Sequence, residues 1–284
     1  MKNTGTSYVK SGQNEGVWIF NDPLSERIRV DDYHGKITEV IKLIESHFYD
    51  WVGKVIIKSR PQHLESFLNA GFSEEALVQG YFSGTDMHFM ARYLKPQRKI
   101  SLLPVPSFFE GNKEKFRLKS SNDILITRAN KEDAEALAAF YASIFKIYPS
   151  PVSDPAYLRK VISGNSVYMI LKINGNIISA ACAEVNPQYQ HAELSDCATI
   201  PEYFGQGYIK QVLKSLMSEM DNLGIPALYS IARTASPAMN KVFRDLGFRF
   251  TGKMINNVRI VTGLEDMNVW SFYRYDSYSN SSIL

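Results

Sequence analysis

Cysteine is scarce in this chain, two among 284 residues, and both Cys182 and Cys197 sit inside apolar strand-like runs without C-x-x-C spacing. That argues against a disulfide framework and a cysteine-built zinc site, and for packing thiols in a reducing compartment. Histidine is nearly as rare, five in all. His34, His47, His63 and His191 fall in no ligand spacing such as H-E-x-x-H, so no metal is expected. The G-x-S-x-G of a hydrolase is also missing. Charge of one sign is lacking too: a formal net +3, with no basic block interleaved with aromatics, gives no reason to expect a nucleic-acid partner. No apolar run approaches the length of a bilayer, and MKNTGTSYVKSGQNEG at the start has no hydrophobic signal core. The expectation is a cytoplasmic protein with no membrane partner.

What is present is ordinary globular material, 45% hydrophobic and 21% charged, in a chain long enough for two domains. Residues 1 to about 16 read as a polar leader, disordered or lying at an edge. Val17 to Phe20 and Arg27 to Val30 suit short strands, and Lys36 to Phe48 a helix with Ile37, Val40, Ile41 and Ile44 on one face. Gly53 to Ser59 reads as a buried strand. A helix then starts near Pro61, carries Leu64, Phe67 and Leu68 inward, and stops at Gly71. The same syntax returns late in the chain: ALYSIAR, Ser236 as N-cap, Pro237 in the first turn, Met239, Val242, Phe243 and Leu246 as the stripe, Gly247 as terminator. LNAGF at 68–72 matches RDLGF at 244–248, and Asp86-Met87 matches Asp266-Met267. This spells a diverged internal repeat. Lys95 to Ser120, rich in Pro and Lys/Arg, reads as a linker with solvated basic residues. The domains are therefore placed at 1–120, including the linker from about 95, and 121–284.

The second domain opens with a strand from Ile124 to Arg128 and a helix capped at Asn130, with Asp133 in its first turn. A short helix starts at Pro155. Strands at Val167 to Ile173 and Ile177 to Glu184 flank Asn174-Gly175, a hairpin signal. A central strand spans His191 to Ile200. From Tyr208 on, Ile209, Val212, Leu213, Leu216, Met217, Met220 and Leu223 define one helical face, ended by Gly224. Gly205 and Gly207 thus occupy a strand-to-helix turn, where missing side chains let backbone N–H groups face an anion at the positive end of a helix. The first repeat has only Gly35 before its helix, so no cofactor is expected there.

This order of elements, with PEYFGQG, resembles the acetyl-CoA motif of the GNAT acyltransferases, Q/R-x-x-G-x-G/A. The resemblance implies an α/β mixed-sheet GNAT fold for the second domain, preceded by a smaller GNAT-like domain. It also implies acetyl-CoA as cosubstrate, bound by Ala198, Thr199, Ile200, Phe204, Gly205, Gln206, Gly207, Tyr208, Ile209, Asn240 and Phe243. Phe204 stands where the family has Gln or Arg, and Ile209 where it has Gly or Ala. Phe243 replaces the Tyr that serves many members as the acid for the CoA thiolate, so either the thiolate leaves unassisted or another hydroxyl, such as Tyr208, Tyr229 or Ser236, serves.

Acyl transfer to an amine needs a proton acceptor, since an alkyl ammonium has a pKa of about 10.4. Glu193 and Asp196 on the central strand are the candidates. AELSDCAT resembles the AEIVFCAI strand of the histone-acetyltransferase branch, whose catalytic Glu falls on Glu193. In a regular strand Asp196 points to the opposite face.

YPSPVSDPAYL, AELSDCATIPEYFGQG, YSIARTASPAMNKVFRDLGF, MINNVRI and LEDMNVW are together similar to the β-lysine N6-acetyltransferase family. That similarity implies acetylation of β-lysine to N6-acetyl-β-lysine, a compatible solute. Such an acceptor needs a carboxylate clamp, for which Arg233 is suited, and an acid for its unreacted ammonium, Asp196 or Glu265. Asn256, Asn257 and Asn268 are candidate pocket donors. Another small amine or peptide amine as acceptor, or a non-catalytic CoA-binding module, is the alternative, and a homodimer is left open.

Overall fold

The computed structural model describes residues 5–11, 14–101, 124–146, 148–260 and 263–275. The chain lays down β1 (Gly5–Ser11), β2 (Glu15–Asp22), β3 (Arg27–His34), α1 (Ile37–Glu45), β4 (Lys54–Ser59), α2 (Leu64–Asn69), β5 (Ser73–Phe82) and β6 (Thr85–Tyr93). There follow β7 (Ile124–Arg128), α3 (Ala134–Ile144), α4 (Pro155–Ile162), β8 (Ser166–Ile173), β9 (Asn176–Asn186) and β10 (His191–Thr199). The last elements are α5 (Tyr208–Asn222), β11 (Ala227–Arg233), α6 (Pro237–Asp245), β12 (Arg249–Ile260) and β13 (Gly263–Tyr273).

The strands form two mixed sheets, one ordered β1-β2-β3-β4-β6-β5 and the other β12-β13-β11-β10-β9-β8-β7. Read from their N-terminal ends, the orders coincide once β7 is set aside. β3 and β4 correspond to β10 and β11, and β5 and β6 to β12 and β13. In the first sheet the parallel pair β3–β4 has antiparallel neighbours on both sides, and in the second the parallel pair β10–β11 has antiparallel β9 beside it. The repeat seen in the residues is thus a repeat of topology.

Two compact units emerge. The first takes residues 1–106 with 232–240 and 250–270; the second takes 107–231 with 241–249 and 271–284. The first is built around Val17, Ile28, Val30, Val55, Ile57, Phe67 and Met90, closed by Val40 and Ile44 of α1. Gly252, at φ 155°, lets β12 run against Glu75 and Ala76 of β5, where any side chain would strike backbone. Beside this seam Lys54 is fully buried, ion-paired to Glu75 and donating to the Ile255 carbonyl at 2.8 Å. Burial pushes its amine down to about 8, with Glu75 acting against it.

The linker expected over Lys95–Ser120 lies outside the described residues from 102 onward. Its first part is not a solvated face: Arg98 is 3% exposed and donates to the carbonyls of Ser25, Glu26 and Asn256. The leader expected up to residue 16 contains β1, which lies at the sheet edge paired with β2.

In the second unit α3 and α4 cover one sheet face, with Leu137, Tyr141, Leu158, Tyr168, Ile170, Ala180 and Cys182 at the core. Asn130 and Asp133 form a full capping box before α3. Asn174 and Gly175, both at positive φ, make the β8–β9 turn. Among the described residues no helix is long and apolar enough to cross a membrane.

Candidate active site

β10 carries both candidate carboxylates, Glu193 and Asp196, and it is not regular. Its register with β9 jumps between Ser195 and Ala198, and Asp196 sits at φ 50°. An L residue at positive φ is strained unless its surroundings hold it. Here the hold is visible: the Tyr141 hydroxyl donates to the Asp196 carbonyl at 2.8 Å, and the Tyr168 hydroxyl to Asp196 Oδ2 at 2.7 Å.

The bulge changes which way Asp196 faces. Glu193 pairs with Glu184, and Ser195 with Cys182, whose partner on the other side is Tyr168. Directly opposed residues share a sheet face. Glu184, Glu193, Ser195 and Tyr168 therefore share the α3–α4 side, and the Tyr168 bond brings the Asp196 carboxylate there too. The regular-strand expectation, with Asp196 opposite to Glu193, is overturned by the extra residue in the bulge.

The two carboxylates differ in setting. Glu193 is half-buried, and its Oε2 accepts from the Tyr229 hydroxyl of β11 at 2.8 Å. Asp196 is buried, and burial pushes its carboxyl up to about 6. Tyr168 and Tyr148 bonds oppose that rise and nearby Glu184 adds to it. Burial also pushes the Cys182 and Cys197 thiols up, the Asp196 charge adding to the effect. Neither is poised as a thiolate nucleophile at neutral pH.

β10 and β11 pair only over His191–Glu193 with Ala227–Tyr229, although β10 continues to Thr199. Beyond Glu193 the parallel strands part, with the Ser230 hydroxyl donating to the Leu194 carbonyl at 2.7 Å. Downstream lies the glycine turn. Gly205 and Gly207 take φ of 76° and 74°, a Cβ built on Gly205 meets nothing within 4 Å, and no side chain caps the α5 N-terminus. Open N–H groups at a helix start, with empty space before them, fit an anionic phosphate group.

Residues 135–248 match the acetyltransferase (GNAT) family. The chain is 34% identical to N-acetyltransferase YodP of Bacillus subtilis, over 92% of this chain and 98% of that protein. The chain belongs to the GNAT family of acetyltransferases. It is also similar to two proteins named beta-lysine N(6)-acetyltransferase. That of Methanosarcina mazei is 28% identical over 84% of this chain and 98% of the relative. That of Methanococcus maripaludis is 30% identical over 90% and 96%. As a GNAT member the protein is an N-acetyltransferase, and the family's acetyl donor is acetyl-CoA.

Within this GNAT enzyme the remaining expected site residues fall as follows. Phe204 is 64% exposed beside the turn, and Tyr208 is buried with its hydroxyl on Gln206. Ile209 follows in the first turn of α5. Ala198 packs in the core, Thr199 bonds Ser179, and the Ile200 N–H is taken by the Ile178 carbonyl. Phe243, expected at the cofactor, is 1% exposed and packs edge-on against Phe248.

Asn240, expected at the pantetheine arm, is fully buried. Its amide donates to the carbonyls of Arg233 and Ser236, and its oxygen accepts from Asn268 and Trp270. Arg233 and Glu265, expected to hold opposite ends of an acceptor, pair bidentately with each other at 2.6–2.7 Å. Asn256 donates to the carbonyls of Arg98 and Ile100, and Asn268 is locked between Asn240 and Thr234. Asn257 keeps a buried oxygen without a hydrogen-bond partner. Arg233, Glu265, Asn240, Asn256 and Asn268 thus bond to one another or to other groups of the first unit.

Tyr148, Tyr168 and Glu184 were not singled out from the residues. They come from three separate segments: the β8–β9–β10 register brings Tyr168 and Glu184 beside Asp196, and the α3–α4 connection brings Tyr148.

Proposed function

We propose that this enzyme acetylates a terminal primary amine of a small free diamino acid in one direct step, and that the acceptor is β-lysine, modified at N6. The observation that carries the direct step is the pairing of Glu193 with Tyr229 beside the parted strands, together with two cysteines held as thiols. Acetyl-CoA supplies the acetyl group on a thioester.

The α5 N-terminus and the Gly205–Gly207 backbone hold the pyrophosphate. Glu193 accepts the proton of the attacking amine, directly or through one water. As the new C–N bond forms, the C–S bond breaks and the sulfur takes up a proton. The Tyr229 hydroxyl keeps Glu193 in place and is a nearby proton source. The β-lysine assignment draws on the two relatives bearing that name and on the carboxylates gathered on one face, which suit a cationic acceptor.

The test is thiol release from acetyl-CoA with β-lysine, α-lysine, spermidine and a peptide N-terminus, the product mapped by mass spectrometry. N6-acetyl-β-lysine as the fastest product supports the reading. A preference for spermidine or the peptide overturns the acceptor, and no release with any amine overturns the reaction.

A further inference from the structure

Asp196 is a buried carboxylate, 4% exposed, and the described residues supply it no ion pair. Its partners are phenols: Tyr168 on the carboxylate, Tyr148 close by, and Tyr141 on the backbone carbonyl. Tyr157 lies near enough to feel its charge. The charged side chain acting on it is another acid, Glu184, which is held by the Ser195 hydroxyl at 2.8 Å. Among the described residues no Lys, Arg or His forms an ion pair with Asp196. An ionised carboxylate taken out of water without a cation is costly, and proteins ordinarily pair it.

The first sheet shows what the paired version looks like. β3 carries its own bulge, at Asp31, where Trp18 faces Asp32 but Ile19 faces Val30. The parallel register of Val30 with Ile57, carried one residue on, sets Asp31 beside Lys58. Lys58 Nζ lies 3.0 Å from Asp31, and Arg29 Nε 2.6 Å. Asp196 occupies the corresponding bulge of β10, the strand that matches β3 in the order of the second sheet. At matching places in two sheets of one order, the described residues neutralise one acid and give the other no ion pair.

From this contrast we infer that Asp196 binds the second ammonium of the acceptor, the one that is not acetylated. That ammonium replaces the cation the first sheet has built in. The surrounding tyrosines suit it, since phenol faces and hydroxyls accept a desolvated alkylammonium. The inference deepens the acyl-transfer reading by naming the side chain that holds the acceptor's second amine. It rests on that reading for the choice of probe but not for the binding itself.

The experiment compares 3,6-diaminohexanoate with 6-aminohexanoate, which lacks only the second amine, on wild type and Asp196→Asn. In wild type, deleting that amine should cost about 10²-fold in kcat/KM, as expected for breaking a buried ion pair. Asp196→Asn should lose a similar factor on the diamino acid, mainly in KM, and stay within about threefold of wild type on the monoamine. Equal losses on both acceptors would place Asp196 on the reacting amine or in the scaffold, and overturn the inference.

Thermal melting gives a readout free of catalysis. 3,6-Diaminohexanoate should raise the Tm of wild type more than 6-aminohexanoate does, and the difference should vanish in Asp196→Asn. If wild type acetylates neither acceptor, the acyl-transfer reading fails while the melting comparison still decides: a difference confined to wild type upholds the ammonium site, and equal shifts overturn it. Should Asp196→Asn not fold, Asp196→Ser carries the same comparison.

Discussion

The Tyr229 hydroxyl reaches across from β11 to donate to Glu193 Oε2 at 2.8 Å, at the last residue pair before the two parallel strands part. A base fixed at that point sits where an amine could meet a thioester lying between the strands. Glu193→Gln keeps the shape and removes the basicity, so turnover should fall roughly 10²- to 10⁴-fold. Raising the pH should partly restore the variant, because more of the amine is then already neutral. A loss that does not change with pH would reduce Glu193 to a positional role. Tyr229→Phe should cost less and leave acetyl-CoA affinity unchanged.

Gly207→Val addresses the cosubstrate. At φ 74° a β-branched residue is strained, and its side chain would intrude where the α5 amides face outward. Acetyl-CoA affinity measured by calorimetry should drop at least tenfold, about 1.4 kcal/mol. Unchanged affinity would move the phosphate site elsewhere.

Asp196 couples function to stability with a definite sign. Burial raises its folded pKa to about 6, above the ordinary carboxylate value. Its contribution to stability is therefore complete at low pH and is lost as pH rises through 6. Ligand-free Asp196→Asn should melt above wild type at pH 7.5, by on the order of 2–3 kcal/mol of stability. The two should converge near pH 4. A variant less stable than wild type at pH 7.5 would contradict this.

Asp31 runs the other way. Lys58 and Arg29 hold its carboxyl far below the usual range against the opposing effect of burial. That stability is present above the ordinary carboxylate pKa and is lost as pH falls. Lys58→Met should cost roughly 2 kcal/mol at pH 7, measured by urea unfolding, because it removes one partner of a partly buried pair. The cost should shrink in acid. A variant as stable as wild type at pH 7 would mean that Arg29 alone suffices.

Much of this arrangement could be read in the residues because it rests on local rules. The α5 stripe, the Asn130–Asp133 capping box and the Asn174-Gly175 turn each declare themselves within a few positions, and the matched ends LNAGF and RDLGF announced the repeated topology. The bulge did not, for no glycine marks it; Asp196 is held at positive φ by tyrosines from α3 and β8, distant in sequence. For the same reason Arg233 and Glu265 looked available as ligands when each in fact satisfies the other. Arg98 looked solvated because the Pro/Lys-rich composition around it gives no hint of the three carbonyls that receive it.

The glycine preceding α1 bears on stoichiometry. Gly35 sits at φ 102°, and a Cβ there would lie 2.7 Å from the Asn14 carbonyl, whereas Gly205 looks onto open space. The glycine of the first repeat packs against its own chain, and Gly205 of the second faces open space. Titration should therefore find one equivalent of acetyl-CoA per chain, and two equivalents would place a second donor site in the first repeat.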